Sequence, residues 1–273
     1  AVAMVIRVAC ALVKNPTKRS VIIASWDAEE PPTFLTDEMG SAYWVSKPTV
    51  PLAQIDASIV LDLAGGDLWD GFQGHFVLGA EMSPELSAAL DAATKPPALE
   101  LYRFGLHLVE ETIAGHQPWS DYHAFRQKGI AVLFITNGQN KRYHTTSDEL
   151  DSVNLPKMTL EADYLYSMVE KLGNRAGESK PSYHGSTRDD LRDAVALIGV
   201  LEAALKPQGL IKFIGTSSEA TLKEDLAKAR AIKTKLDGGG TLSSTEVGRL
   251  RSAAQRVMCF TGPTYPEYVC NMF

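Results

Sequence analysis

Three runs of this chain are apolar almost without interruption: ASIVLDLAG (57–65), GHFVLGAE (74–81) and IAVLFITNG (130–138). A strand wetted on one face alternates apolar and polar residues. These do not alternate, so both of their faces must be covered. Helical signals separate them. SPELSAALDAA (83–93) offers Ser83 as N-cap, Pro84 at the first helical position and Glu85 in the first turn. LHLVEETIAG (106–115) reads as a helix closed by Gly115, and TLEADYLYSMVEKLG (159–173) as an amphipathic helix closed by Gly173. SVIIASW (20–26) and ALELYRF (98–104) read as further strands, and SAYWVSKP (41–48) as a short helix. Buried strands alternating with helices predict an α/β fold.

The polar stretch NRAGESKPSYHGS (174–186) then marks a boundary. Beyond it, residues 187–205, 217–236 and 243–258 carry apolar side chains at helical spacing, as in Leu222, Leu226, Ala229 and Ile232. The chain therefore divides into an α/β body over residues 1–174 and a helical extension over residues 175–273 with no visible chemistry. The opening stretch AVAMVIRVACALVKN is apolar nearly all round and predicts a buried helix. It lacks the charged start and cleavage site of a signal peptide. A chain that opens inside a core helix without an initiator Met reads as one that has lost its N-terminal part.

Composition narrows the partners. The net charge of -6 provides no basic stripe, which argues against nucleic acid. No apolar run is long enough to cross a bilayer. Cys10, Cys259 and Cys270 match no zinc-finger spacing; Cys259 and Cys270 are either a disulfide or two free thiols.

The chemistry gathers at strand ends, where open α/β sheets place their ligands. SVIIASWDAEEPP runs from a strand into Asp27, Glu29 and Glu30. Packed carboxylates repel one another and resist desolvation, and a metal ion is the strongest compensation. Asp62 closes an otherwise apolar strand, and His144 follows another in YHTTSDE. Taken singly, each has an ordinary reading: a solvated loop start, a turn-forming Asp before two glycines, a surface histidine. Together they make an oxygen and nitrogen set suited to zinc.

Their order resembles a known pattern. VIIASWDAEE…MGSAYWV, IVLDLAGG, SDYHAFRQKGIAVLFITNG and YHTTSDELDSVN resemble, in sequence order, four segments of the di-zinc aminopeptidases of metallopeptidase family twenty-eight, covering roughly residues 1–172. The resemblance implies a three-layer sandwich with a mixed, mostly parallel sheet, two zinc ions and a peptide substrate. It makes Glu29 the general base that draws a proton from metal-bound water. Glu30 and His144 become ligands of one zinc, and Asp62 a ligand of the other. Asp121 and Tyr122 fall on the substrate side. Asp121 reads equally as an N-cap for the following helix, and Tyr143 either polarises the substrate carbonyl or packs. The family pattern also asks for an upstream His and a bridging Asp. Only three of five metal ligands are therefore in this sequence, and the chain alone is expected to be inactive and poorly stable. Pro31 and Pro32 and a longer stretch to Gly40 and Ser41 depart from the family's usual loop, which bears on substrate preference. A secreted or periplasmic setting is favoured by the resemblance. The alternatives are a glutaminyl cyclase-like acyltransferase and a non-catalytic binding protein of the same fold.

Overall fold

A computed structural model describes residues 1–112, 115–177 and 179–273. Its elements are α1 (Val2–Lys14), α2 (Gly40–Ser46), β1 (Ala57–Leu61), β2 (Gly74–Leu78), α3 (Pro84–Ala92), β3 (Glu100–Phe104), α4 (His107–Glu110), β4 (Glu111–Thr112), β5 (Gly115–His116), α5 (Tyr122–Arg126), β6 (Ala131–Thr136), α6 (Leu155–Asn174), α7 (Asp190–Ala204), α8 (Thr216–Asp237), α9 (Ser244–Thr261) and α10 (Glu267–Cys270). The main sheet has the order β1-β6-β2-β3. β1 runs parallel to β6 and β2 parallel to β3, while β2 and β6 are antiparallel. The sheet is mixed and mostly parallel, as the sequence predicts.

Strand alternation sorts side chains into two layers. From β6, Ala131, Leu133 and Ile135 enter a core with α3 and α6, while Val132 and Phe134 enter the core on the other face. Phe76 and Leu78 of β2 join the second core and Val77 the first. That second core is shared with Leu197, Val200 and Leu201 of α7, Leu222 and Leu226 of α8, and Leu250, Val257 and Phe260 of α9. Helices thus cover both faces, giving three layers. Ser83 caps α3 by accepting from the Leu86 amide, and Ser243 forms a capping box with Glu246. Cys259 and Cys270 form a disulfide that ties α10 to α9.

Three expectations need correction. α1 is helical, but only Met4 and Val8 are buried; Val2, Ile6 and Val13 face outward, because the helix packs by one face against α6. SVIIASW forms no helix and joins no strand ladder among the described residues, and Val21, Ile22 and Ile23 are exposed. A strand needs a partner as well as a propensity. The helix expected over 106–115 is one turn, α4, followed by the β4–β5 ribbon; its Ile113 and Ala114 lie outside the described residues.

Candidate metal centre

The acids and the histidine lie on loops that follow segment 20–26, β1 and β6. Gly40 anchors the first loop by donating its amide to the Asp27 carbonyl at 2.9 Å. A Cβ on Gly40 would lie 2.4 Å from Asp27 Oδ1 and 2.8 Å from its carbonyl oxygen, so only glycine allows this approach. Asp27 therefore ends the segment against α2, and the chain turns through Ala28 at φ 53° to present Glu29 and Glu30.

Glu30 and His144 meet: Glu30 Oε1 lies 2.9 Å from His144 Nε2. They come from loops 114 residues apart. His144 holds φ at 56°, in the left-handed region that costs a non-glycine residue about 1–2 kcal/mol. Both side chains are more than half exposed, and an exposed pair contributes about 1 kcal/mol or less. Residues held in this region cluster at functional sites. Leu63, directly after Asp62, is also left-handed at φ 50°. The Tyr143 ring stacks on His144 at 3.7 Å between centroids and lines the same cleft.

Asp62 sits deeper. Its Oδ1 accepts from the Leu63 amide at 2.7 Å, and its Oδ2 from Ser120 Oγ at 2.9 Å. Burial raises the Asp62 carboxyl above its ordinary range, against the pull of those two donors. Burial, and then the charges of Asp62, Asp121 and Glu30, push the half-buried Glu29 up to about 8. Burial also raises Asp121 to about 6, with Asp62 adding to it. Carboxylates that raise one another across a shared space suit a cation between them. The donors, carboxylate oxygens and an imidazole nitrogen, suit zinc. Glu30 and His144 approach each other, while Asp62 stands apart; among the described residues no third His, Cys, Asp or Glu ligand atom lies within 4.8 Å of both.

Asp121 occupies the N-cap position of α5 but makes no capping bond, and its Oδ1 is buried without a partner. Tyr122, expected on the substrate side, is fully buried and points away from the cleft. Its hydroxyl donates to Glu110 Oε1 at 2.5 Å and accepts from the Trp119 amide at 2.9 Å. Arg126 completes that buried group by donating to Glu110 Oε2 at 2.8 Å. The residue the sequence reading passed over is Ser120, which belongs to the same Ser-Asp segment and orients Asp62.

The cleft has a volume of about 250 Å³. Glu29, Glu30, Asp62, Tyr143 and His144 stand on its polar side. Opposite are Phe76, Phe104 and Trp119, together with Leu197 and Val200 of α7 and Val257 and Met258 of α9. No sequence signal placed the extension here, since helical spacing shows that a face is buried but not against what.

The layered α/β body, with Asp62 just after β1 and His144 in the loop after β6, defines a zinc-peptidase-like fold. The chain belongs to Peptidase family M28, whose sequence profile matches residues 1–169. Two solved structures are similar in fold. The aminopeptidase from Aneurinibacillus sp. strain AM-1 superposes with a TM-score of 0.50 at 18% identity, over 69% of this chain and 42% of that one. BSAP, a zinc aminopeptidase from Bacillus subtilis, gives 0.49 at 16% identity, over 68% and 43%. The chain thus spans less than half the length of the solved structures it matches. No curated protein sequence matches it.

Proposed function

We propose that the chain carries the catalytic half of a zinc-dependent aminopeptidase, an exopeptidase that hydrolyses N-terminal peptide bonds. The observation that carries this reading is the strained, solvent-facing approach of His144 to Glu30 beside Glu29 and Asp62. Glu30 and His144 would hold one zinc and Asp62 would serve a second, as the family resemblance implies. Bound there, zinc supplies a Lewis acid and lowers the pKa of water. Glu29 takes the proton of the attacking water and returns it to the leaving amine. Asp121, close enough for its charge to raise Glu29, would meet the free amino group of the substrate, and Tyr143 would lie beside the scissile carbonyl. The apolar wall receives the first side chain of the peptide.

The body over residues 1–174 and the extension over residues 175–273 act as one unit in this reading, the extension forming that wall. The Cys259–Cys270 disulfide fits a secreted or periplasmic setting. With three of the five ligands that the family resemblance asks for, the 273-residue chain alone is expected to hydrolyse peptides poorly.

Zinc titration by calorimetry tests the reading. Glu30→Gln and His144→Gln should each weaken zinc binding in the cleft, while Glu29→Gln leaves it intact. In a form of the protein that turns over peptides, Glu29→Gln should lower kcat by about 10²–10⁴ with little change in KM. Zinc binding indifferent to both Glu30 and His144 would remove the proposal. It would favour a non-catalytic binding protein of the same fold. A glutaminyl cyclase-like activity would show as release of ammonia from an N-terminal glutamine without peptide cleavage.

A further inference from the structure

A second constellation lies outside the cleft, where α7 meets the turn after β3. Asp193 is 1% exposed. Its Oδ1 accepts from the Gly105 amide at 2.6 Å, and its Oδ2 is buried with no hydrogen-bond partner. That orphaned oxygen faces His107, whose Nε2 is 3.5 Å away. Asp190 stands one helical turn before Asp193, on the same face of α7. One ligand atom from each of His107, Asp190 and Asp193 lies within 4.8 Å of the other two. The imidazole is seated against bare backbone: a Cβ on Gly105 would lie 2.6 Å from His107 Nδ1.

A buried carboxylate oxygen without a donor is costly, and a cation held against it would relieve that cost. Asp190 is engaged by Arg188, whose Nε donates to Oδ1 at 3.1 Å and whose Nη2 lies 3.5 Å from Oδ2. Such an exposed pair is weak and gives way readily. We infer that His107, Asp190 and Asp193 form a binding site for one divalent transition-metal cation of the zinc type, separate from the acidic cleft. Tetrahedral zinc, with ligands at about 2.0–2.2 Å, holds its donors about 3.4 Å apart. His107 and Asp193 already stand at that spacing, and Asp190 closes it by a rotation that releases Arg188. One imidazole and two carboxylates leave the fourth position to water.

The site would pin the extension to the body. Its His107 adjoins the turn between Phe104 and Val109, and its two acids begin the helix that carries Leu197 and Val200; all four apolar residues line the cleft. A cation there would hold the two sides of the apolar wall together without touching substrate.

The test uses the 273-residue chain with Glu30→Gln and His144→Gln in place, so that failure of the cleft reading and failure of this one are told apart. Calorimetric titration with zinc chloride should give one site per chain, and the Tm should rise with zinc. Adding His107→Gln, or separately Asp193→Asn, should weaken binding by more than about tenfold and cancel the rise. Asp193→Asn should also raise the Tm of the metal-free chain, since it removes a buried charge while keeping an acceptor for Gly105. A carboxylate serving the fold alone would lower it instead. No zinc bound, or zinc bound equally well after His107→Gln, overturns the inference.

Discussion

Ser120 shows how a single side chain sets the electrostatics of the cleft. Its hydroxyl is buried and donates to Asp62 Oδ2 at 2.9 Å, one of two hydrogen bonds holding a carboxylate that burial would rather protonate. Ser120→Ala removes the donor and leaves Asp62 Oδ2 without its side-chain partner. The expected loss is about 1–3 kcal/mol of stability at neutral pH, where Asp62 is asked to be charged. Urea denaturation of the zinc-free chain measures it. At pH 4, where Asp62 carries its proton more often, the loss should shrink. A loss that is the same at both pH values would mean that Ser120 packs and does no more.

At the scale of elements, α6 is tied to the sheet and to the loop after β1 by buried charge. Lys157 Nζ, fully buried, donates to the carbonyls of Gly66 and Phe72 at 3.1 and 3.2 Å and lies 3.3 Å from Asp67. One turn on, Glu161 Oε1 lies 3.1 Å from His75 Nδ1 and accepts from Asn137 at 2.5 Å. Burial alone would raise Glu161, but His75, Asn137 and Lys157 outweigh it and hold the carboxyl below its ordinary 4.5. A carboxyl depressed in the folded state contributes stability above its unfolded pKa and loses it as pH falls through the folded value. Acid should therefore loosen α6 below about pH 4.5, visible as faster hydrogen exchange in residues 155–174. Lys157→Met keeps the length of the side chain and strands two carbonyls and a carboxylate; about 3–5 kcal/mol of stability should go with it. A loss under about 1 kcal/mol would show that water takes over the lysine's bonds.

Elements were legible in the sequence where the signal was local. The strands at 57, 74 and 131 follow from apolar runs, and α3 from Ser83 and Pro84. What depended on neighbours was not. Val21, Ile22 and Ile23 have the side chains of a strand, but pairing is decided by what lies alongside. Ile6 and Val13 are apolar without being covered. Tyr122 shows the same limit within the site: its segment is readable as a motif, yet the inward turn of the ring depends on Glu110 and Arg126. Glu30 and His144 were placed by resemblance, since nothing in a lone Glu or His states that they will meet.

The whole molecule depends on one core that ignores the boundary read near residue 174. Phe76, Phe104 and Phe134 of the sheet pack in the same cluster as Leu197, Val200, Leu201, Leu250, Val257 and Phe260 of the extension. Each such residue contributes about 2–5 kcal/mol when buried, against a total stability of about 5–15 kcal/mol for a domain. Losing six of them at once leaves nothing to offset the entropy of the chain. A protein ending at Asn174 should therefore retain helical circular dichroism but lose its cooperative thermal transition and its dispersed methyl resonances. The smaller change Met258→Trp, at a half-buried residue lining the cleft, should leave the transition in place and fill the apolar wall. It would weaken binding of peptides with a large first side chain while sparing those that begin with alanine. A sharp transition in the shortened protein would make the extension a separate unit, and the wall of the cleft would then belong to a contact that can open.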